Sequence, residues 1–150
     1  MKHLKKYNQW ALVTGASEGI GKDFAKELAK QGFSLYLVAR GNEKLEMIRD
    51  EIKSLYGCTI KIDSKDLSDS NSIEDLFKNT KDLNFGLIVL AAGFGSGWSF
   101  VTLDVQNELN MVDLNCRSVV QMSHHYIKNA LGKKELGVIE FVRPKFEACE

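Results

Sequence analysis

Thr14-Gly15-Ala16-Ser17-Glu18-Gly19-Ile20-Gly21 is the stretch whose reading decides the fold. It follows the apolar run Trp10-Ala11-Leu12-Val13 and precedes a segment with Ile20, Phe24, Ala25, Leu28 and Ala29 on one helical face. Strand, glycine-rich turn and helix is the context in which such glycines mark a phosphate site. Glycine has no Cβ, so it permits the tight turn and lets backbone N–H groups approach an anion. The helix N-terminus behind the turn adds unpaired N–H groups and the positive end of its dipole. Three glycines alone would equally suit a plain strand–helix connection; the flanking apolar pattern selects the phosphate reading.

Outward from that turn the chain alternates between two periodicities. Residues 1–9 read as a polar surface arm, the first strand as 10–13, and the first helix as running to Lys30 with Gly32 as its cap. A second strand is expected at 33–39, where Leu35, Leu37 and Val38 form the run of a strand buried on both faces. The second helix carries Leu45, Ile48, Ile52 and Leu55 and stops at Gly57. A third strand, 58–62, leads to Asp66-Leu67, and a third helix follows with Asn71 and Glu74 as a cap pair and Ile73, Leu76 and Phe77 inward. The fourth strand, 85–91, is the most apolar run and is expected to be central. It ends in Ala92-Gly93 and the small-residue stretch Gly95-Ser96-Gly97. A long helix over 104–131 repeats Val105, Leu109, Val112, Cys116, Val119, Val120, Ser123 and Ile127, and a fifth strand is expected at 138–142. Strands alternating with helices of this length build a parallel α/β sheet through right-handed crossovers.

The 150 residues suit a single domain, 1–150, with 44% hydrophobic and 27% charged residues. Twenty basic residues balance twenty acidic ones, so the sequence makes no electrostatic case for nucleic acid or an anionic membrane. The basic start lacks the apolar run of a signal peptide, and no segment reaches the roughly 18 apolar residues that span a bilayer. Cys58, Cys116 and Cys149 are widely spaced and odd in number, which argues for reduced thiols in a cytoplasmic protein and against a disulfide scaffold or zinc site. His124 and His125 are adjacent rather than four apart, so they point about 100° away from each other and do not form a metal pair.

Thr-Gly-x-x-x-Gly-x-Gly resembles the cofactor fingerprint of the short-chain dehydrogenase/reductase family, and the resemblance extends from about residue 10 to about 142. It implies a Rossmann-like doubly wound sheet of order 3-2-1-4-5, with the cofactor across the carboxyl ends of strands one and four. In that frame Gly15, Ser17, Glu18, Gly19, Ile20 and Gly21 form the phosphate turn. Arg40 stands about twenty positions further on, where an NAD site places a carboxylate for the ribose 2′-OH. An arginine there suits a 2′-phosphate, with Ser17 as its hydroxyl companion, so NADP is the expected cofactor and NADPH is preferred over NADH. Asp66 and Leu67 resemble the family's adenine contact. Ala91-Ala92-Gly93 replaces the family's Asn-Ala-Gly turn, removing an asparagine brace and keeping Gly93. Asn115 matches the asparagine of the catalytic tetrad, which kinks its helix and holds a water. Trp98 and Phe100 either line a substrate mouth or cover their own loop.

The family's serine and its Tyr-x-x-x-Lys set have no counterpart here. Tyr126 is followed by Ala130 at the fourth position, and Tyr7, Tyr36 and Tyr56 lie in other elements. Val142-Arg143 stands where the serines belong, Glu140 is a carboxylate in a strand expected to be buried, and 143–150 matches nothing in the family. Two readings stay open. One is the amino-terminal part of a carbonyl or alcohol oxidoreductase, truncated or frame-altered after strand five; the change of character near Glu140 favours it. The other is a non-catalytic dinucleotide-binding or protein-interaction module. By the same resemblance the 104–131 helix packs against its mate in a homo-oligomer, and the small-molecule partner is a carbonyl or alcohol substrate.

Overall fold

A computed structural model describes residues 10–97, 99–131 and, for the backbone alone, 138–141. The 1–9 arm, Trp98, the 143–150 tail with Cys149, and the side chain of Glu140 lie outside the described residues. Five strands, β1 (Trp10–Thr14), β2 (Ser34–Ala39), β3 (Ile60–Ser64), β4 (Phe85–Leu90) and β5 (Val138–Phe141), form one parallel sheet of order β3-β2-β1-β4-β5. The helices are α1 (Gly19–Lys30), α2 (Asn42–Tyr56), α3 (Ser70–Thr80), α4 (Val105–Val112) and α5 (Ser118–Leu131).

The continuous apolar runs of the strands have a direct cause: both faces of the sheet are covered. Ala11, Val13, Leu35, Leu37, Leu87 and Val89 pack with Ala25 and Leu28 of α1 and Leu45, Ile48 and Ile52 of α2. Their alternating neighbours Leu12, Tyr36, Val38, Ile88 and Leu90 pack with Ile73 and Leu76 of α3 and with Leu114, Met122 and Tyr126. A strand side chain alternates faces, so a doubly covered strand has no polar register. The Thr80 and Tyr126 hydroxyls meet at 3.0 Å inside the second layer, joining α3 to α5. Burial pushes the Tyr126 hydroxyl up to about 12. This tyrosine is a satisfied core group.

Gly57 ends α2 in the left-handed region at φ 65°, and Gly32 follows α1 at φ 88°. Two expectations are corrected. The cap of α3 is Asp69, whose carboxylate accepts from the N–H groups of Asn71 and Ser72; Asn71 and Glu74 are not a cap pair. A short side chain one residue before the helix reaches two orphan N–H groups, which Asn71, inside the first turn, does not.

The helix expected over 104–131 is not uniform. A π-helical turn, Asp113–Arg117, separates α4 from α5 and inserts one residue into the ladder. Leu114, Ser118, Met122 and Tyr126, four apart, are buried. Val105, Leu109, Val112, Cys116, Val120 and Ile127, which the sequence pattern marked, lie on the exposed face. Among the described residues no helix is long and apolar enough to cross a membrane.

Candidate functional site

The chain runs from β1 outward to β2 and β3, then crosses back to β4 on the other side of β1. At that switch the loops after neighbouring strands part and leave a crevice at their carboxyl ends. A cleft of about 290 Å³ opens there, lined by Gly15, Ser17, Glu18, Gly19, Ile20 and Gly21 from the first turn. Val38, Ala39 and Arg40 line it from β2, Lys65, Asp66 and Leu67 from the loop after β3, and Ala91, Ala92, Gly93 and Phe94 from the loop after β4. Leu114 closes one side. Asn115 is not on the lining, though it holds Phe94, which is.

The glycines divide by role. Gly15 is left-handed at φ 64°, and a Cβ on it would stand 2.7 Å from the Ala91 carbonyl oxygen. A Cβ on Gly21 would fall against the Gly15 carbonyl, so this residue lets α1 lie directly on the turn. Gly19 is left-handed at φ 54° with no atom within 4 Å of its would-be Cβ. Its side faces open space, as close approach of a ligand requires. Glu18, the α1 N-cap, is extended at φ −161° and ψ 171° and offers no side-chain cap bond to the first-turn N–H groups. These features fit a pyrophosphate: an uncapped helix start, two left-handed glycines and a missing Cβ on the open side.

Two cross-braces hold the cleft in shape. The Ala92 N–H donates to Thr14 Oγ1 at 3.1 Å, tying the end of β1 to the loop after β4. This bond ties together the region from which the family's asparagine brace is missing. Asn115, in the π turn, accepts from the Phe94 N–H at 3.1 Å and donates to the Phe94 carbonyl at 2.7 Å. A half-buried amide in this helix is therefore satisfied by backbone pairing. Asn115→Leu is expected to destabilise the chain by about 1–3 kcal/mol, because it strands both Phe94 groups. Urea unfolding reads the loss, and faster amide exchange at Phe94 localises it; an unchanged Phe94 exchange rate would rule the brace out.

Charge collects at the β2 end. Arg40 is exposed; its carbonyl accepts the Ser64 hydroxyl at 2.7 Å, while its guanidinium has no ion-pair partner among the described residues. Lys44, in the first turn of α2, donates to Glu18 Oε2 at 2.9 Å. That bond, then the charge of Lys44, holds the Glu18 carboxyl below the usual carboxylate range, with Arg40 adding to the effect. Burial works to raise the Asp66 carboxyl, yet the Ser68 hydroxyl and N–H, with Arg40 beyond them, hold it low. Asp66 Oδ1 takes both Ser68 groups, at 2.7 and 3.0 Å, closing the turn at the cleft edge. Leu67 is buried and belongs to the core as well as the lining.

Val38, Ala39, Lys65, Phe94 and Leu114 were not singled out from the sequence, and neither was the Thr14 brace. Lys65, beside Asp66, carried a signal by adjacency; Phe94 and Leu114 carried none. His125 lies far from this cleft, stacked on Phe77 with ring centroids 3.7 Å apart. Burial lowers its pKa, with the charge of Glu74 working the other way. No group of three or more metal-ligating side chains is found among the described residues.

The short chain dehydrogenase family model matches residues 9–143. The chain belongs to that family. A 7β-hydroxysteroid dehydrogenase of Clostridium sardiniense is 38% identical over 127 residues, which are 85% of this chain and 49% of that protein. A solved 7β-hydroxysteroid dehydrogenase structure superposes with a TM-score of 0.85 at 28% identity, covering 91% of this chain and 54% of the other. An alcohol dehydrogenase from Thermococcus sibiricus, complexed with 5-hydroxy-NADP, does so with a TM-score of 0.78 at 26% identity, covering 87% and 57%. This short-chain dehydrogenase chain thus spans about half the length of the curated relatives it matches. Short-chain dehydrogenases are oxidoreductases that use a nicotinamide dinucleotide and act on small-molecule alcohols or ketones.

Proposed function

We propose that residues 1–150 form the NADP(H)-binding unit of an oxidoreductase that interconverts a carbonyl and a hydroxyl group, with NADPH preferred over NADH. Arg40 carries the preference: it lines the cleft at the end of β2, where an NAD-selective site would hold a carboxylate. In this reading the Gly19 N–H and the α1 start hold the pyrophosphate, and Ser17 and Arg40 hold the 2′-phosphate. Asp66 and Leu67 border the adenine, while Ala92, Gly93 and the braced Phe94 border the nicotinamide end, with Asn115 positioning Phe94. Bound NADPH would supply the hydride. The NADP analogue in the Thermococcus sibiricus structure and the alcohol chemistry named for the hydroxysteroid dehydrogenases support the assignment. Free Cys58 and Cys116 agree with a reducing, cytoplasmic setting. The exposed apolar face of α4 and α5 is assigned to a second copy of the chain.

Cofactor titration tests the preference. NADPH is expected to bind about ten- to a hundredfold more tightly than NADH, the range of a lost charge-assisted contact of about 1.5–3 kcal/mol. Arg40→Glu is expected to erase the difference. Equal curves for both cofactors, or unchanged NADPH affinity in Arg40→Glu, would refute the reading.

A second reading, binding without turnover, has its own observation: no tyrosine in the 150 residues is followed four positions later by lysine, and Tyr126 is spent on Thr80. Hydride transfer to a carbonyl needs an acid for the developing alkoxide. NADPH oxidation by this chain over a panel of ketones and aldehydes is expected at background. Steady turnover that disappears on mutating a residue of this chain would reveal a replacement acid.

A further inference from the structure

The glycine turn contains a contradiction if the cleft takes a 2′-phosphate, as proposed above, and the inference here rests on that reading. Glu18 lines the same cleft as Arg40, close enough for each charge to act on the other. A carboxylate beside an incoming phosphate should oppose it. Lys44 removes the contradiction. Its Nζ lies 2.9 Å from Glu18 Oε2, bridging from the first turn of α2 back to the glycine turn. Arg40 and Lys44 rise from the same corner on either side of Gly41, whose would-be Cβ stands 4.0 Å from the Lys44 Cβ. On the cleft lining Arg40 and Lys65 already balance Glu18 and Asp66, and Lys44, tied to Glu18, tips this corner to net positive before any phosphate arrives.

We propose that Lys44 is a specificity-determining residue of the 2′-phosphate subsite, acting by neutralising Glu18 so that the field of Arg40 stays available to the phosphate. Lys44 acts through Glu18, as a positioning residue. Without it the corner falls from net positive to neutral and Glu18 stands uncompensated, and the penalty falls on the cofactor that carries the extra phosphate. Both side chains of the pair are well exposed, 63% for Lys44 and 74% for Glu18, so neither supports the core and both can be replaced without unfolding the chain. The same exposure makes the interaction sensitive to salt.

The test is a double-mutant cycle on the full chain, titrating NADPH and NADH by fluorescence at low and high salt. Lys44→Ala is expected to weaken NADPH about fivefold, as for one unit charge interacting near water, with NADH changed less than twofold. Glu18→Gln is expected to tighten NADPH by a similar factor. In the Glu18→Gln background, Lys44→Ala is expected to change NADPH affinity less than twofold. High salt should shrink the first two effects. An equal loss from Lys44→Ala in both backgrounds would mean that Lys44 meets the phosphate directly and would overturn the proposal. Equal effects on NADPH and NADH would overturn it as a mere structural role. Arg40→Ala separates the two levels. If it leaves the NADPH/NADH ratio unchanged, the 2′-phosphate reading itself is wrong; if it collapses the ratio while Lys44→Ala does not alter it, only the role of Lys44 is wrong.

Discussion

Gly21→Ala is expected to destabilise the chain by about 2–4 kcal/mol and to weaken NADPH binding by a hundredfold or more. Gly21 sits in the first turn of α1, is buried, and has an ordinary helical backbone. Helix propensity alone would favour alanine there by about 1 kcal/mol. The opposite sign is expected because the added Cβ runs into the Gly15 backbone carbonyl, and no flexible side chain can yield. Relief requires moving α1 off the turn, which strains well-packed surroundings by about 1–3 kcal/mol or more. It also moves the helix start away from the anion that it faces. Gly19→Ala makes the contrast: its Cβ would meet nothing, so only the left-handed backbone is strained, by about 1–2 kcal/mol, while the methyl stands where a ligand approaches. Gly21→Ala should therefore fail in urea unfolding and in titration alike, and Gly19→Ala mainly in titration. A Gly21→Ala chain with unchanged melting and affinity would show that α1 is not seated on the turn as described.

The contrast between these glycines marks how far the sequence could be read. Spacing located the turn and the alternation of strands and helices that builds a parallel sheet, while the strand order came with the family resemblance. Spacing could not say that Gly15 and Gly21 serve packing while Gly19 faces space; for Gly15 that depends on where Ala91 arrives from seventy-odd residues away, and for Gly21 on how α1 seats on the Gly15 carbonyl. The Thr14 brace was illegible for the same reason. Asn115 was visible as an odd residue in an apolar helix, and it stands in the π turn that interrupts that helix. Its partner Phe94 was not visible, since a backbone acceptor has no sequence signature. The Asp69 cap was missed because Asn71 and Glu74 made a plausible box two residues later, and only the true helix start separates them. On the long helix one uniform period was expected over 104–131, and the π turn at Asp113–Arg117 interrupts it. An element apolar on both faces gives one pattern in sequence and two in space.

That second face supports the last large effect. Val105, Leu109, Val112, Cys116, Val120, Ile127 and Leu131 recur at intervals of three, four and once seven, with exposures such as 69% for Val105 and 68% for Val120. They lie opposite the buried row Leu114, Ser118, Met122 and Tyr126. Isolated exposed apolar residues are ordinary, but a seam along the whole α4–α5 length is not. A second copy turned by a two-fold axis would set the seam on itself, so that each residue counts twice. Burying one valine or leucine contributes about 1.5–3 kcal/mol, and a central pair therefore carries several. Val120→Lys would remove that contribution and bring two like charges together across the axis. Dissociation is expected to rise more than a hundredfold, a change of about 3 kcal/mol or more. Since Val120 points away from its own core, α5 should stay folded in the separated chain, with circular dichroism unchanged. Sedimentation velocity at micromolar concentration then shows the unmodified chain as a dimer or larger and Val120→Lys as a monomer. If the unmodified chain sediments as a monomer at tens of micromolar, with residues 105–131 as protected from hydrogen exchange as β1, the seam has no mate of its own kind.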